Sequence, residues 1–382
     1  MTRCSLRLAM PALVLSVAAA CAPRAVPSTG YASTSGAPPA VSHRDAEPAD
    51  TTSILNGLTK DVTIGSTIDT KNGDQAPRAL SIANGSTHGA LKKGELVFCN
   101  FENSAGDAGT GTTIEGLKAT PGSTPVRFFQ SETLKGCAGV SVHPRNGSVY
   151  AEGLASGKFD ILAKGGKIVR TYGGKMFADP FWDLVTRSQT NFAPSYVFVG
   201  TTHGTIISVS TGFYGNGQAT EVSKGFAVSK GSQGQLAPGG FQYDQGIDSL
   251  YIVDGASNTI VAVTNASKLL QPDAIVVQPG GKKFKCKSPK TTCAHLVYSG
   301  SPLAAPVASA LLPNGNLIVA NTQGTPNTLV ELTPQGKVLA TKVVDQSSKA
   351  GVFGLAAHGT TDSNTVLYYT DTNSNTVEKL EP

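Results

Sequence analysis

The sequence predicts an all-β chain, folded as a six-bladed β-propeller with its N-terminal strand closing the last blade. Three observations predict it. Helical periodicity is almost absent after residue 52, and short apolar runs alternate there with clusters of Gly, Asn, Asp and Ser. A three-part unit recurs six times between residue 76 and the C-terminus. Of 382 residues, 43 are Gly and 22 are Pro while only 15% are charged, a composition that suits turn-rich sheets better than helices.

The chain starts with an export signal. Arg3 and Arg7 precede an apolar stretch at 8–17 that is too short to span a bilayer. Ala18, Ala19 and Ala20 then lead into Cys21. The run from Val17 to Cys21 resembles a bacterial lipobox, with Ala18 where Leu is usual. That resemblance implies a signal peptide over 1–20 and a lipid on Cys21, which becomes the mature N-terminus. Ala22 is not an inner-membrane retention residue in that family. The implied address is therefore the outer membrane, at its periplasmic side or the cell surface. An ordinary secretory signal followed by a chance cysteine is the alternative. Residues 21–52 are a Pro, Ala and Ser mixture that cannot bury a core and reads as a solvated tether. The propeller domain takes 53–382. Removing Arg3 and Arg7 lowers the formal charge from +5 to +3, too weak and scattered to imply nucleic acid. No later stretch is long and apolar enough for a membrane span, and a monomer is expected.

Each repeat unit supplies three strands, named A to C from the axis outward. Strand B is the clearest: LVFCN, VYAEG, VFVGT, LYIVD, LIVAN and LYYTD. These runs end at Asn100, Gly153, Thr201, Asp254, Asn321 and Asp371, at intervals of 53, 48, 53, 67 and 50 residues, the size of a four-stranded blade plus loops. Strand C follows, and in three copies the dipeptides Asn258-Thr259, Asn327-Thr328 and Asn375-Thr376 introduce it. An Asn there can bond nearby backbone and start the turn. Strand A precedes, rich in Ala, Gly and Ser as crowding near the axis requires. Pro77, Pro180, Pro238 and Pro306 stand at its start, where a strand tolerates Pro. The sixth copy ends at Pro382 without a fourth strand. The segment 61–68 alternates like a strand and is expected to fill that place beside 377–380, removing the open edge.

Residues 248–263, DSLYIVDGASNTIVAV, resemble an NHL repeat, and 316–339 and 365–380 match nearly as well. The other three copies are more degenerate. The resemblance covers roughly residues 60 to 382 and implies architecture more than activity. The Arg often found in the turn of such repeats is Thr259 and Thr376 here. Six-bladed relatives of the gluconolactonase type place a metal held by carboxylates and amides at the end of the channel. The virginiamycin B lyase type uses His and Glu with a metal.

Four cysteines remain in the domain, an even number that suggests two disulfides in an oxidising compartment. Cys286 and Cys293 bracket a short loop, and Cys99 and Cys137 pair by elimination. A metal site with His295 is the alternative, though no CxxC is present.

In a propeller, strand B ends and strand A begins on one face, here called the top. Asn100, Asp254, Asn321 and Asp371 would lie near that rim. Their oxygens suit a hard cation such as Ca2+ in the axial channel, or they cap the turns between strands B and C. Trp182, the only Trp, and Asp183 fall in the third inner strand, where an aromatic can be a ligand platform or fill the core. Arg78 opens the first inner strand and faces either the channel or solvent. His143, His203 and His358 do not assemble, and neither a GxSxG elbow nor a Walker loop is present. Lys282, Lys283, Lys285, Lys287 and Lys290 surround the Cys286–Cys293 loop as an anionic-partner site or a solvated hairpin. No catalytic set is complete. The leading expectation is an envelope-anchored propeller that binds a protein or small-molecule ligand on its top face. The alternative is a lactonase-like or lyase-like enzyme with a divalent cation at the axis.

Overall fold

A computed structural model describes residues 52–83, 90–177, 181–187, 195–211, 217–231, 234–322 and 326–382. The expected signal peptide, Cys21 and nearly all of the tether lie outside the described residues. The described chain forms six antiparallel blades around one axis. Blade 1 runs Gln75–Ile82, Leu96–Glu102, Thr113–Leu117, Val126–Gln130, and blade 2 runs Cys137–Val142, Val149–Gly153, Lys158–Leu162, Ile168–Tyr172. Blade 3 begins Phe181–Arg187, Tyr196–Thr201, Ile206–Ser210, Ala219–Lys224. Blade 4 runs Pro238–Asp244, Ser249–Asp254, Thr259–Thr264, Cys293–Ser299, and blade 5 runs Pro306–Leu311, Leu317–Asn321, Asn327–Leu332, Val338–Asp345. Blade 6 takes Leu355–His358, Val366–Asp371 and Thr376–Glu381 from the C-terminus and Lys60–Ser66 from the other end of the domain.

The expected closure is present. Lys60 pairs with Glu381 and Ser66 with Thr376, in an antiparallel ladder with one bulge near Gly65. Upstream of it a short helix, Ile54–Gly57, buries Ile54, Leu55 and Leu58. Its start is held by the buried Glu331 of blade 5. That carboxylate accepts from Ser53 Oγ at 2.7 Å, from the amides of Ile54 and Leu55 at 3.2 and 2.8 Å, and from Asn316 Nδ2 at 3.0 Å.

Both faces of each blade are covered, so the B strands read as continuous apolar runs. Successive side chains point to opposite neighbours. Phe98 packs toward blade 6 with Tyr368, while Val97 and Cys99 pack toward blade 2 with Val140 and Ala151. Six apolar clusters fill the six junctions between blades. The Asn of the recurring Asn-Thr dipeptide does more than start a turn. Asn258 Oδ1 accepts from Ala305 N, Asn327 Oδ1 from Gly351 N, and Asn375 Oδ1 from Ala76 N, at 2.6, 3.1 and 2.8 Å. Each ties its blade to the chain entering the next inner strand.

Both expected disulfides are present, each with its Cα atoms 5.4 Å apart. Cys99–Cys137 joins strand B of blade 1 to strand A of blade 2. The long interval before blade 5 is more than a hairpin in solvent. Its strands Ile275–Val277 and Phe284–Cys286 extend blade 3 to six strands, the first of them parallel to Ala219–Lys224. Cys286–Cys293 therefore links the sheet of blade 3 to the outer strand of blade 4. The inner strand of blade 6 pairs only from Leu355, later than the apolar pattern suggests. Ahead of it Phe353 O accepts from Ala79 N of blade 1 at 3.3 Å.

Candidate functional site

The inner strands of all six blades line an axial channel of about 200 Å3, with Ser81, Ser141, Gln242 and Ser309 among its walls. Five of those strands carry a bulge near their top end, between 78 and 81, 137 and 139, 181 and 183, 239 and 242, and 306 and 308. Bulges re-aim side chains. Here they bring Arg78, Ala138, Asp183 and Val307 together with Phe353 around a neck of about 20 Å3, room for one water. A cavity of about 400 Å3 adjoins the neck on the top face, bounded by Ala76, Arg78, Glu102, Lys349, Phe353 and Asn373.

Arg78 is central to both spaces. Its guanidinium carbon lies 4.0 Å from the ring centre of Phe101 and 4.0 Å from that of Phe353. Cation–π contact with both rings fixes the plane of the group, and guanidinium hydrogen bonds lie in that plane. Burial pulls its pKa down to about 10, against the opposing pull of the Glu102 charge. Glu102 is in turn pushed above the usual carboxylate range by burial, which outweighs the attraction of Arg78.

Glu152 lies behind the neck, in strand B of blade 2. It is fully buried, and neither carboxyl oxygen has a hydrogen-bond partner. Its strand partner Gly139 makes the room, since a Cβ there would sit 2.7 Å from Glu152 Oε1. Burial first, and the Asp183 charge second, raise the Glu152 pKa well above the ordinary carboxylate range. Asp183 faces the channel and accepts from Phe241 N at 3.2 Å.

Of the residues singled out from sequence, Asp183 lies at the neck, and the Trp182 side chain lies outside the described residues. The other four serve four separate turns and links. Asn100 Nδ2 donates to Thr67 O and Thr113 Oγ1. Asp254 Oδ1 accepts from Ser257 N. Asn321 accepts from Ala304 N and donates to Pro302 O and Thr328 Oγ1. Asp371 accepts from Asn373 N and Ser374 Oγ. This donor set does not fit a shared cation, and among the described residues no group of three or more His, Cys, Asp or Glu side chains could hold a metal. His143 bonds Ser195, His203 is exposed in a B–C turn, and His358 ends the sixth inner strand.

Glu152 carried a signal that went unread. The position before the end of strand B holds Cys99, Glu152, Gly200, Val253, Ala320 and Thr370 across the six copies, and only one of these ionises as a carboxylate.

No family model matches the chain, and no curated protein matches it in sequence. Solved structures do match in shape. A putative gluconolactonase superposes with a TM-score of 0.51 at 10% identity, over 84% of this chain and 91% of that one. The likeness is one of fold. A luciferin-regenerating enzyme gives 0.52 at 11% identity, over 85% and 96% of the two chains. Virginiamycin B lyase from Staphylococcus aureus gives 0.50 at 13%, over 85% and 98%.

Proposed function

We propose that this chain is an exported, lipid-anchored propeller that binds a small molecule bearing an acidic group in the top-face cavity around Arg78. The observation that carries the reading is the guanidinium fixed between Phe101 and Phe353 at the wall of a cavity of about 400 Å3, with Lys349 on the same wall. A planar cation of set orientation suits a carboxylate or phosphate, which accepts two of its N–H bonds at once. The Phe353 ring on the cavity wall gives a ligand apolar contact.

Thermal shift tests this. A panel of sugar acids, dicarboxylates and sugar phosphates should contain members that raise the melting temperature, because a ligand that binds only the folded state stabilises it. The shift should vanish in Arg78→Gln and shrink in Lys349→Gln, with unliganded melting little changed in the second. A panel with no active member, or a shift that survives both substitutions, defeats the reading. The anchor is tested separately by fractionation. In high salt, which screens charge but does not extract a lipid, Cys21→Ser should move the protein from membranes to the soluble fraction.

The unpartnered oxygens of Glu152 beside Asp183 favour a second reading, a lactonase-like or lyase-like enzyme in which the Glu152 carboxyl serves as an acid–base group behind the neck. Lactone hydrolysis by the purified protein and by Glu152→Gln separates the two. Turnover in the first and its loss in the second, with melting unchanged, would favour the enzyme.

A further inference from the structure

The face opposite the Arg78 cavity, where strand A turns into B and strand C into D, is basic. Lys92 and Lys118 of blade 1, Lys164 and Lys167 of blade 2, Lys290 after blade 4's strand C, and Lys337 of blade 5 are all exposed in its turns. Lys290 belongs there because the next carbonyl, Thr291 O, accepts from Asn265. The neighbours of Asn265, Ala266 and Ser267, bond Asp248 in the A–B turn of blade 4. Nearby acids hold local turns. Glu95 accepts from Lys92 N, Asp244 from Gly246 N, and Asp248 from Ser267 N and Tyr243 Oη. Between Asp273 and Glu331 the chain has no acidic residue at all, and Lys287, which donates to Pro272 O, joins Lys290 on this side.

Apolar side chains accompany these cations in the open. Val126, at the start of blade 1's outer strand, is 70% exposed, Val169 of blade 2 is 62%, and Leu270 beside Lys268 is 39%. Lysines mixed with exposed aliphatic groups match the region where lipid headgroups meet acyl chains.

The chain also reaches the domain on this side. Ser53 bonds Glu331, and the same carboxylate holds Asn316 of blade 5's A–B turn. Residues 1–51 precede that point, and the thirty residues of 22–51 are enough chain to span about 30 Å. A membrane holding the lipid of Cys21 would therefore lie within reach of the basic face.

We propose that this face docks on an anionic lipid headgroup surface, so that the Arg78 cavity opens away from the membrane. The choice of a membrane as partner rests on the anchored reading above, but the docking is tested without the anchor. Exported Cys21→Ser protein, which carries no lipid, should sediment with phosphatidylcholine vesicles containing about 30% phosphatidylglycerol and not with pure phosphatidylcholine. Each lysine near such a surface strengthens binding roughly fivefold. Adding Lys118→Gln, Lys164→Gln, Lys167→Gln and Lys337→Gln to that protein should weaken binding on the order of several hundredfold, with melting unchanged. Adding Lys71→Gln and Lys135→Gln, on the top face, should leave it as it was. Binding should also fall steeply with salt. The proposal is overturned by no binding to anionic vesicles, by equal binding to neutral ones, or by equal losses from the two faces. Retention on an acidic polysaccharide with none on vesicles overturns it as well. Failure here leaves the anchor untouched, because that is read from fractionation of wild type and Cys21→Ser in high salt, where charge-driven docking is screened.

Discussion

Removing residues 53–66 should unfold the propeller or bring it close to unfolding, whereas removing 22–51 should be almost silent. The first deletion strips four fully buried side chains, Ile54, Leu55, Leu58 and Ile64, from the junctions around blades 5, 6 and 1. At about 2 kcal/mol each, the loss is about 8 kcal/mol, comparable with the whole stability of an ordinary domain. It also leaves the Glu331 carboxylate buried without Ser53, Ile54 and Leu55, and exposes strand Thr376–Glu381 as an edge. A finer probe is Leu55→Ala, which should cost about 3 kcal/mol. At roughly 2 °C per kcal/mol that lowers the melting temperature by about 6 °C. Thermal unfolding followed by circular dichroism, on purified wild type, both deletions and Leu55→Ala, gives the answer. Equal melting of the two deletion proteins would refute the idea that the ring is closed by a ladder.

Three further outcomes are expected. Burial, with the neighbouring Asp69 carboxylate behind it, raises the Glu115 pKa from 4.5 to about 9, so the stability it contributes is full below pH 4.5 and is lost as pH rises toward 9. Glu115→Gln should flatten the melting temperature between about pH 5 and 9, and a profile as steep as wild type would contradict the assignment. Gly139→Ala should destabilise by about 1–3 kcal/mol by driving a methyl into the Glu152 carboxyl; adding Glu152→Ala should recover part of the loss, and strict additivity in the double-mutant cycle would remove that explanation. Non-reducing peptide maps should yield Cys99–Cys137 and Cys286–Cys293, and replacing the first pair by Ser should cost about 2–4 kcal/mol, so free thiols or an unchanged denaturation midpoint would argue against a structural role.

The architecture was legible because a propeller repeats its constraints. A B strand buried on both faces must be apolar throughout, so LYIVD, LIVAN and LYYTD declare themselves without neighbours. Closure was legible for a complementary reason: the sixth copy lacked a strand and 61–68 lacked a partner. The extension of blade 3 was hidden because Phe284–Cys286 alternates with lysines and its partner Ile275–Val277 joins Ala219–Lys224, about fifty residues earlier in the chain. The candidate site was harder still. Arg78 gains its meaning from Phe101 across its own blade and Phe353 of blade 6, and Glu152 from Gly139 across its own blade and Asp183 of blade 3, pairings that no local window contains. Asn100, Asp254, Asn321 and Asp371 drew notice because they recur. Recurrence in every blade is what a turn requires, whereas the polar residues at the neck are those that break the repeat.

The ladder between Lys60–Ser66 and Thr376–Glu381 also sets an order of events in time. It joins residues more than three hundred positions apart, so its partners cannot meet until the intervening sheets have brought them close. As the chain folds, the early strand waits with one edge open until the C-terminal strands arrive. When it does pair, the seam lies inside a sheet and not between two sheets. Reopening the circle then requires breaking a row of backbone hydrogen bonds, so neither end can peel away one blade at a time.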